Sequence, residues 1–246
     1  MGGRLKVSRF ARAGFWLAVF AVVAAVLAGV GSRESWWHFR VGFSLLKWAA
    51  YAAVAAAALS AIGVVATWRG GALGRAAAWL GLAAGLVVAG VPSAWVWTAG
   101  RVPPIHDITT DPNHPPVFSA IAPLRGDGAN PIDYGGPAVA AQQRKGYPDL
   151  GPALLDLAPR QAFDAALATA RDMGWEIVDA NPGQGRIEAT DTTFWFGFKD
   201  DVVVRVAPTE SGSRVDVRSL SRVGRSDVGT NAKRIRAFLA RLPRSR

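Results

Sequence analysis

Four polar residues near the middle of the chain have side chains of the kind that ligate metal ions. His106, Asp107, Asp111 and His114 lie within nine positions of one another, and imidazole and carboxylate groups are borderline or hard ligands. Their spacing matches no zinc or calcium pattern. The alternative is a polar loop in which Asp and Asn side chains cap turns. We therefore predict no metal, and keep a metal-dependent hydrolase or transferase that uses Asp107, Asp111 and His114 as an alternative function.

The segment Ser221–Asp227, with the sequence SRVGRSD, has the composition of an anion-binding loop. Gly224 permits close approach of the backbone, and Arg222 and Arg225 supply charged donors. A helix is predicted to begin directly afterwards, and helix N-termini attract anions. The alternative is a strand-to-helix loop with solvated arginines, one of them paired with Asp227.

The stretch Thr192–Val206, TTFWFGFKDDVVVRV, is the densest aromatic cluster outside the apolar N-terminal region. If it is one strand, its three phenylalanines share a face, while Trp195 points the other way. The phenylalanines are then expected in the core, with a bound lipid or apolar ligand as the alternative. Asp200 and Asp201 are adjacent, so their side chains diverge, and we expect a solvated pair at the entry of a turn.

These observations give a set of candidate ligand-binding residues but no catalytic residue. The chain has no cysteine, which excludes a thiol nucleophile and thiolate metal sites, and no phosphate-binding loop, GxSxG, HExxH or GxGxxG motif occurs. We predict no cofactor and favour a binding module over an enzyme. The candidates are Arg222, Arg225, Trp195, Lys199, Asp201, Arg218, Asp107, Thr109 and Asp111.

The pattern of apolar and polar residues in 151–246 predicts an α+β domain. Apolar residues at helical spacing predict a helix over Pro159–Met173, and the second half predicts several strands followed by a last helix. Runs of neighbouring strands imply an antiparallel sheet, which the two helices cover on one face. Pairing Val202–Val206 with Arg214–Arg222 places Arg205 opposite Asp216. Residues 101–150 are rich in Pro, Gly and Asn and are predicted to form an irregular linker that is partly packed on the domain.

Residues 1–100 contain three apolar runs, at about 13–31, 48–68 and 76–100, each free of charged residues. About 20 such residues span a bilayer as a helix, so we predict three transmembrane helices. Tryptophans cluster near the run ends, as in an interfacial aromatic belt. The loops carry slightly more Lys and Arg on the N-terminal side of the spans, which favours a cytoplasmic N-terminus.

That orientation predicts a multi-pass protein of the bacterial inner membrane, with residues 101–246 outside the cytoplasm. The formal charge of +10 beside a membrane favours anionic lipid headgroups over nucleic acid. We expect membrane lipids as partners, or a protein partner, and no nucleic acid. The function that these features favour is a membrane-tethered module that binds an anionic or lipid-like ligand or a protein. A structural subunit of a membrane complex is a further alternative.

Four segments resemble a bacterial family known only as domain of unknown function 1499. They are DITTD (Asp107–Asp111), YPDLGP (Tyr147–Pro152), TTFWFGFKDDVVVRV, and SRVDVRSLSRVGRSDVGTNAKRIRAFL. The resemblance covers roughly residues 104–242 and implies no activity. It does imply that the segment around Asp107–Asp111 belongs to the domain and is not a free spacer.

Overall fold

The computed structural model describes residues 7–69 and 73–243. The chain forms two compact units. The first comprises Met1–Trp97 together with Phe194–Gly197, and the second comprises Thr98–Thr193 together with Phe198–Arg246.

In the part of the first unit that the structure describes, three helices are long and apolar enough to cross a membrane, as predicted. They are α1 (Arg9–Arg33), α2 (Phe39–Arg69) and α3 (Arg75–Ala99). Small residues allow them to pack closely. A Cβ added at Gly14 of α1 would lie 2.4 Å from the hydroxyl of Ser60 on α2, so no larger residue fits there.

The second unit is built on a six-stranded sheet, counted over the described residues. Its strands are β1 (Asp107–Thr109), β2 (Ala153–Leu155), β3 (Glu176–Asn181), β4 (Arg186–Thr192), β5 (Lys199–Thr209) and β6 (Gly212–Ser221). The order is β1-β6-β5-β4-β3, every pair is antiparallel, and β2 also pairs with β6. β1 pairs with residues 218–220 of β6 and β2 with residues 213–215.

Two helices, α5 (Pro159–Asp172) and α6 (Thr230–Leu239), pack with one face of this sheet in a single core. The sheet contributes Val202, Val204 and Val206, which lie opposite Ser219, Val217 and Val215 in the predicted register. The α+β class with an antiparallel sheet is therefore confirmed. Trp175 and Phe238 stack in this core with ring centroids 5.2 Å apart.

The opposite face of the sheet is covered by residues 111–134, which we call the strap. Phe118 and Ile121 of the strap form a small buried cluster with Val203 and Leu220 of the sheet. The strap is largely irregular, with one short 3₁₀ helix at Ala122–Leu124. It is followed by α4 (Gly136–Gly146), a helix in a region whose composition predicts irregular chain.

The prediction that Thr192–Val206 forms one strand is wrong. β4 ends at Thr192 and β5 begins at Lys199, which pair directly with each other, so residues 193–198 must form the connecting loop. Gly197 has a φ of +68°, which glycine adopts without strain. The phenylalanines therefore share no inward face: the side chain of Phe194 is 91% exposed, whereas that of Phe196 is 4% exposed.

Candidate functional site

Arg218 and Asp107 form a buried ion pair that joins β6 to β1. Arg218 Nε donates to Asp107 Oδ1 at 2.9 Å, and Nη2 donates to Oδ2 at 2.8 Å. The same guanidinium donates to the carbonyls of Pro116 and Ile132 and lies 5.0 Å from the ring centroid of Phe118. Arg218 thus binds both β1 and the strap, and neither charge of the pair is available to an external ion.

Asp201 is the centre of a second ion cluster, so the expected solvated aspartate pair is wrong. Asp201 is fully buried. It accepts hydrogen bonds from Arg222, whose Nη2 lies 2.8 Å from Oδ1, from Arg125, and from the hydroxyl of Thr190. Burial lowers the pKa of Arg125, and the charge of Asp201 opposes that shift. The guanidinium of Arg222 is therefore already bound to a carboxylate.

Asp200 points away from Asp201, as its adjacency predicts, but it is also buried. Its Oδ2 accepts from Arg234 Nη2 at 2.6 Å. Arg234 also donates to Asp191 and contacts Asn231. Arg234 is on α6 and lies inside the protein, because Asp191 and Asp200 compensate its charge.

A third cluster contains Asp111, which the sequence presents as a candidate ligand. Asp111 Oδ2 accepts from Arg205 at 3.1 Å and from Arg214 at 3.0 Å. Arg205 also donates to Asp216 at 2.8 Å, so the predicted cross-strand pair is confirmed. Burial raises the pKa of Asp216, but the hydrogen bonds from Arg214 and Arg205 outweigh it and hold that pKa below its usual range.

Thr109 is held by a residue that the sequence did not single out. Gln143 of α4 accepts from the backbone N–H of Thr109 at 3.0 Å and donates to its carbonyl at 2.6 Å. Gln143 therefore satisfies the free edge of β1 as a neighbouring strand would. Thr109 is buried.

Glu188 is a second such residue. It is fully buried, and it accepts hydrogen bonds from the successive backbone N–H groups of Ser119, Ala120 and Ile121 at 2.8, 3.1 and 2.8 Å. This carboxylate fixes the strap to β4. The sequence of β4, RIEATDT, gives no clear signal for this role, because the strand also carries Arg186 and Asp191; only burial requires that the carboxylate find partners.

The remaining candidates are more exposed. Lys199 is exposed at the start of β5, and its carbonyl accepts from the N–H of Arg222 at 3.0 Å. Trp195 is half-buried and belongs to the first unit. Arg225 is exposed in the loop before α6. Asp227 does not pair with an arginine of its own loop; it accepts from the N–H groups of Gly229 and Asn231 at 2.9 and 2.6 Å.

Two segments that are far apart in the chain meet in front of α6. The N–H of Ser221 donates to the carbonyl of His106 at 3.0 Å, and the N–H of Asp227 donates to that of Ile105 at 3.2 Å. His106 Nδ1 lies 3.4 Å from the carbonyl oxygen of Arg225. The residues just before β1 therefore hydrogen-bond to the SRVGRSD loop at both ends of that loop, at Ser221 and at Asp227.

A cleft of about 330 Å³ lies at this junction, at the lower end of the range for ligand pockets. Ile105, Pro131 and Val139 supply apolar walls, and His106, Asp133 and Arg225 supply polar groups. Asp107 also lines the cleft, but its carboxylate is bound to Arg218. The side chains with charge to offer a ligand are thus Arg225 and Asp133, which are both exposed.

The proposed metal ligands do not converge. Asp107 and Asp111 are each engaged by arginines, and the backbone N–H of His114 donates to Asp111 Oδ1 within a turn. Over the described residues, no three His, Asp or Glu side chains are grouped so that they could hold a metal ion. The turn in which Asp111 caps Asn113 and His114 is the alternative that the sequence offered.

Residues 107–242, just over half of the chain, match the model of the family described as protein of unknown function (DUF1499). The chain belongs to this family. The match begins at Asp107, the first residue of β1, and extends past the end of α6. The matched region thus includes β1 and the strap as well as the longer strands. This agrees with the prediction that the segment around Asp107–Asp111 belongs to the domain. No curated protein and no solved structure matches the chain significantly.

Proposed function

We propose that this DUF1499 protein is a multi-pass protein of the inner membrane whose second unit lies outside the cytoplasm and binds a small, monoanionic, partly apolar ligand in the cleft beside Arg225. The observation that carries the proposal is the convergence of residues 104–107 with the loop of Arg225 on one concave surface. A cleft with apolar walls and a few polar groups is the usual form of a small-molecule site.

The state of the arginines supports Arg225 as the anion-binding group. Arg205, Arg214, Arg218, Arg222 and Arg234 each bind a carboxylate of the sheet or strap. Arg225, in contrast, has no ion pair with any residue that the structure describes, and its side chain is exposed at the cleft. A guanidinium without a carboxylate partner is free to bind an anion in a bidentate manner.

The other cleft residues set the character of the ligand. Ile105, Pro131 and Val139 offer surface to an apolar body. Asp133 on the same rim disfavours a second negative charge next to Arg225. A carboxylate on a short alkyl or aryl group therefore fits better than a polyanion or a phosphate monoester, which carries about −1.5 to −2 charge at pH 7. His106 also lines the cleft, and its imidazole adds a second polar contact.

Binding of short water-soluble probes to the full-length protein in lipid nanodiscs tests this proposal. Saturation-transfer NMR with hexanoate is compared with neutral hexanamide, which has the same apolar body. We expect the protein to bind hexanoate more tightly, and Arg225→Ala to weaken that binding roughly 10- to 100-fold, because a hydrogen bond to a charged group contributes about 1.5–3 kcal/mol.

Lys233→Ala is the matched control, because Lys233 is also an exposed cation but lies on α6 and does not line the cleft. It should leave hexanoate binding unchanged. Equal binding of hexanoate and hexanamide, or equal losses in the two variants, would refute a site at Arg225.

A further inference from the structure

The loop tip Phe194–Gly197 belongs to the first unit, where the rings of Trp195 and Phe196 pack on α1, α2 and α3. A Cβ added at Gly29 of α1 would lie 1.9 Å from the ring of Trp195, and one added at Gly42 of α2 would lie 3.0 Å from the ring of Phe196. Trp195 also lies 5.4 Å, centroid to centroid, from Trp95 of α3. Glycines at both contact points create the notch that the two rings fill.

The depth of this notch follows from the position of its residues along α1. Arg33 is the last residue of α1, and its Nη1 donates to the carbonyl of Phe194. Gly29, which contacts Trp195, lies four residues earlier and inside the apolar run. Four residues of helix correspond to roughly 6 Å along its axis. The backbone of Phe194 is thus level with the end of the span, and Trp195 lies about one turn deeper.

The side chain of Phe194 faces outward at this level. It is 91% exposed, the highest value among the large apolar residues that the structure describes as exposed. Trp36, in the connection between α1 and α2, is exposed as well. Exposed aromatic rings at the ends of spans are typical of the boundary between headgroups and acyl chains.

We propose that the tip is an interfacial membrane anchor, in which Trp195 and Phe196 are fixed in the helix notch and the ring of Phe194 inserts into the phospholipid interface. The bilayer is the occupant that fits, because the carbonyl of Phe194 is hydrogen-bonded to the residue that ends a membrane span. Arg33 and Arg40 lie near the same ends of α1 and α2, and cations at that level contact phosphate headgroups. This proposal is independent of ligand binding in the cleft.

The absence of cysteine from the chain allows a direct test. Phe194→Cys, labelled with a nitroxide in full-length protein in phosphatidylcholine nanodiscs, is measured by power-saturation electron paramagnetic resonance. Oxygen concentrates in the bilayer and a nickel chelate in water. Val54→Cys, exposed midway along α2, and Glu210→Cys, exposed in the turn between β5 and β6, are the matched lipid and water references.

We expect the label at residue 194 to collide with the nickel chelate much less often than the label at residue 210, and with oxygen more often. The ratio of the two collision rates should place residue 194 at a depth between the two references. Collisions equal to those at residue 210 would mean that the ring is in water and would overturn the proposal. Low collisions with both reagents would mean that protein covers the ring and would overturn it too. Dipolar coupling between two labels would identify that cover as a second copy of the chain.

Discussion

Replacing Arg218 by methionine should destabilise the second unit more than a typical surface change, because Arg218 makes contacts with both β1 and the strap. Its side chain is 3% exposed, and that of Asp107 is 6% exposed. Arg218→Met leaves the carboxylate of Asp107 buried without its counter-charge. It also removes the donors to the carbonyls of Pro116 and Ile132.

The expected loss follows from these contacts. Removing one partner of a buried ion pair costs about 3–5 kcal/mol. Because roughly 1.4 kcal/mol corresponds to a factor of ten, the population of the open state should rise by about two to three and a half orders of magnitude. Domains of this kind have about 5–15 kcal/mol of stability, so the variant should remain folded most of the time.

A buried reporter cysteine measures that population. Val203→Cys places a thiol in the fully buried cluster beneath the strap, next to Phe118 and Ile121, in a chain that has no other cysteine. When reclosing is faster than modification, the labelling rate follows the opening equilibrium. Arg171→Met is the matched control, because Arg171 is exposed on α5, and it should change the rate little.

A double variant, Asp107→Leu with Arg218→Met, separates charge from packing. It removes the uncompensated carboxylate and leaves only the two carbonyls without donors, which should cost roughly 1–3 kcal/mol each at most. The double variant should therefore label more slowly than Arg218→Met alone. If Arg218→Met changes the rate less than about tenfold, or if the double variant is the more labile one, the buried pair does not hold β1 and the strap in place.

Two further predictions concern acid stability and orientation. Hydrogen bonds from arginines hold the pKa of Asp216 below its usual range despite burial. The ionised Asp216 therefore stabilises the fold at pH values above the unfolded pKa of about 3.9. This stabilisation is lost as the pH falls through the lower folded pKa. Asp216→Asn should thus be less stable than the wild type in urea at pH 7, with a difference that shrinks below pH 4; a constant difference would contradict the pKa shift. An alkaline phosphatase fused after Arg246 should be active, since the enzyme works only outside the cytoplasm, and an inactive but expressed fusion would reverse the proposed orientation.

The sequence predicted the parts of the fold that depend on local periodicity. Apolar residues at helical spacing identified α5 to within one residue at its end. Alternation in β6 gave its register with β5, including the pair of Arg205 with Asp216. The three helices that are long and apolar enough to cross a membrane followed from length and hydropathy alone. In each case the pattern lies in one short stretch of chain, so no distant partner was needed.

The errors concern structure that distant residues impose. β1 has three residues and pairs with a strand more than a hundred positions later, so no local pattern marks it. Asp200 and Asp201 look like a solvated turn because their partners, Arg234 and Arg125 with Arg222, lie elsewhere in the chain. The alternating phenylalanines suggested a strand, but the pairing of Thr192 with Lys199 requires a turn at that place.

For the candidate site, too, local patterns were predicted from the sequence and contacts between distant residues were not. The sequence identified both Asp107–Asp111 and the SRVGRSD loop as segments of interest, but it did not identify Asp133 or Val139, which reach the cleft only because the strap and α4 fold as they do. Nor did it distinguish Arg222 from Arg225. The distinction depends on Asp201 of β5, which pairs with Arg222, the residue directly after β6.

The buried ion pairs determine which residues at the cleft remain available for binding. Asp107 lines the cleft, yet both of its carboxylate oxygens accept from Arg218, so its charge is already compensated. Among the residues that the structure describes, Arg225 is bound only through its backbone, by the carbonyl contact with His106. Changes at Arg218 should therefore alter stability and the shape of the cleft together, whereas Arg225→Ala should alter binding without a matching change in the labelling rate at residue 203. If the two readouts moved together in both variants, Arg225 would be part of the structural network and the cleft would have lost its proposed anion donor.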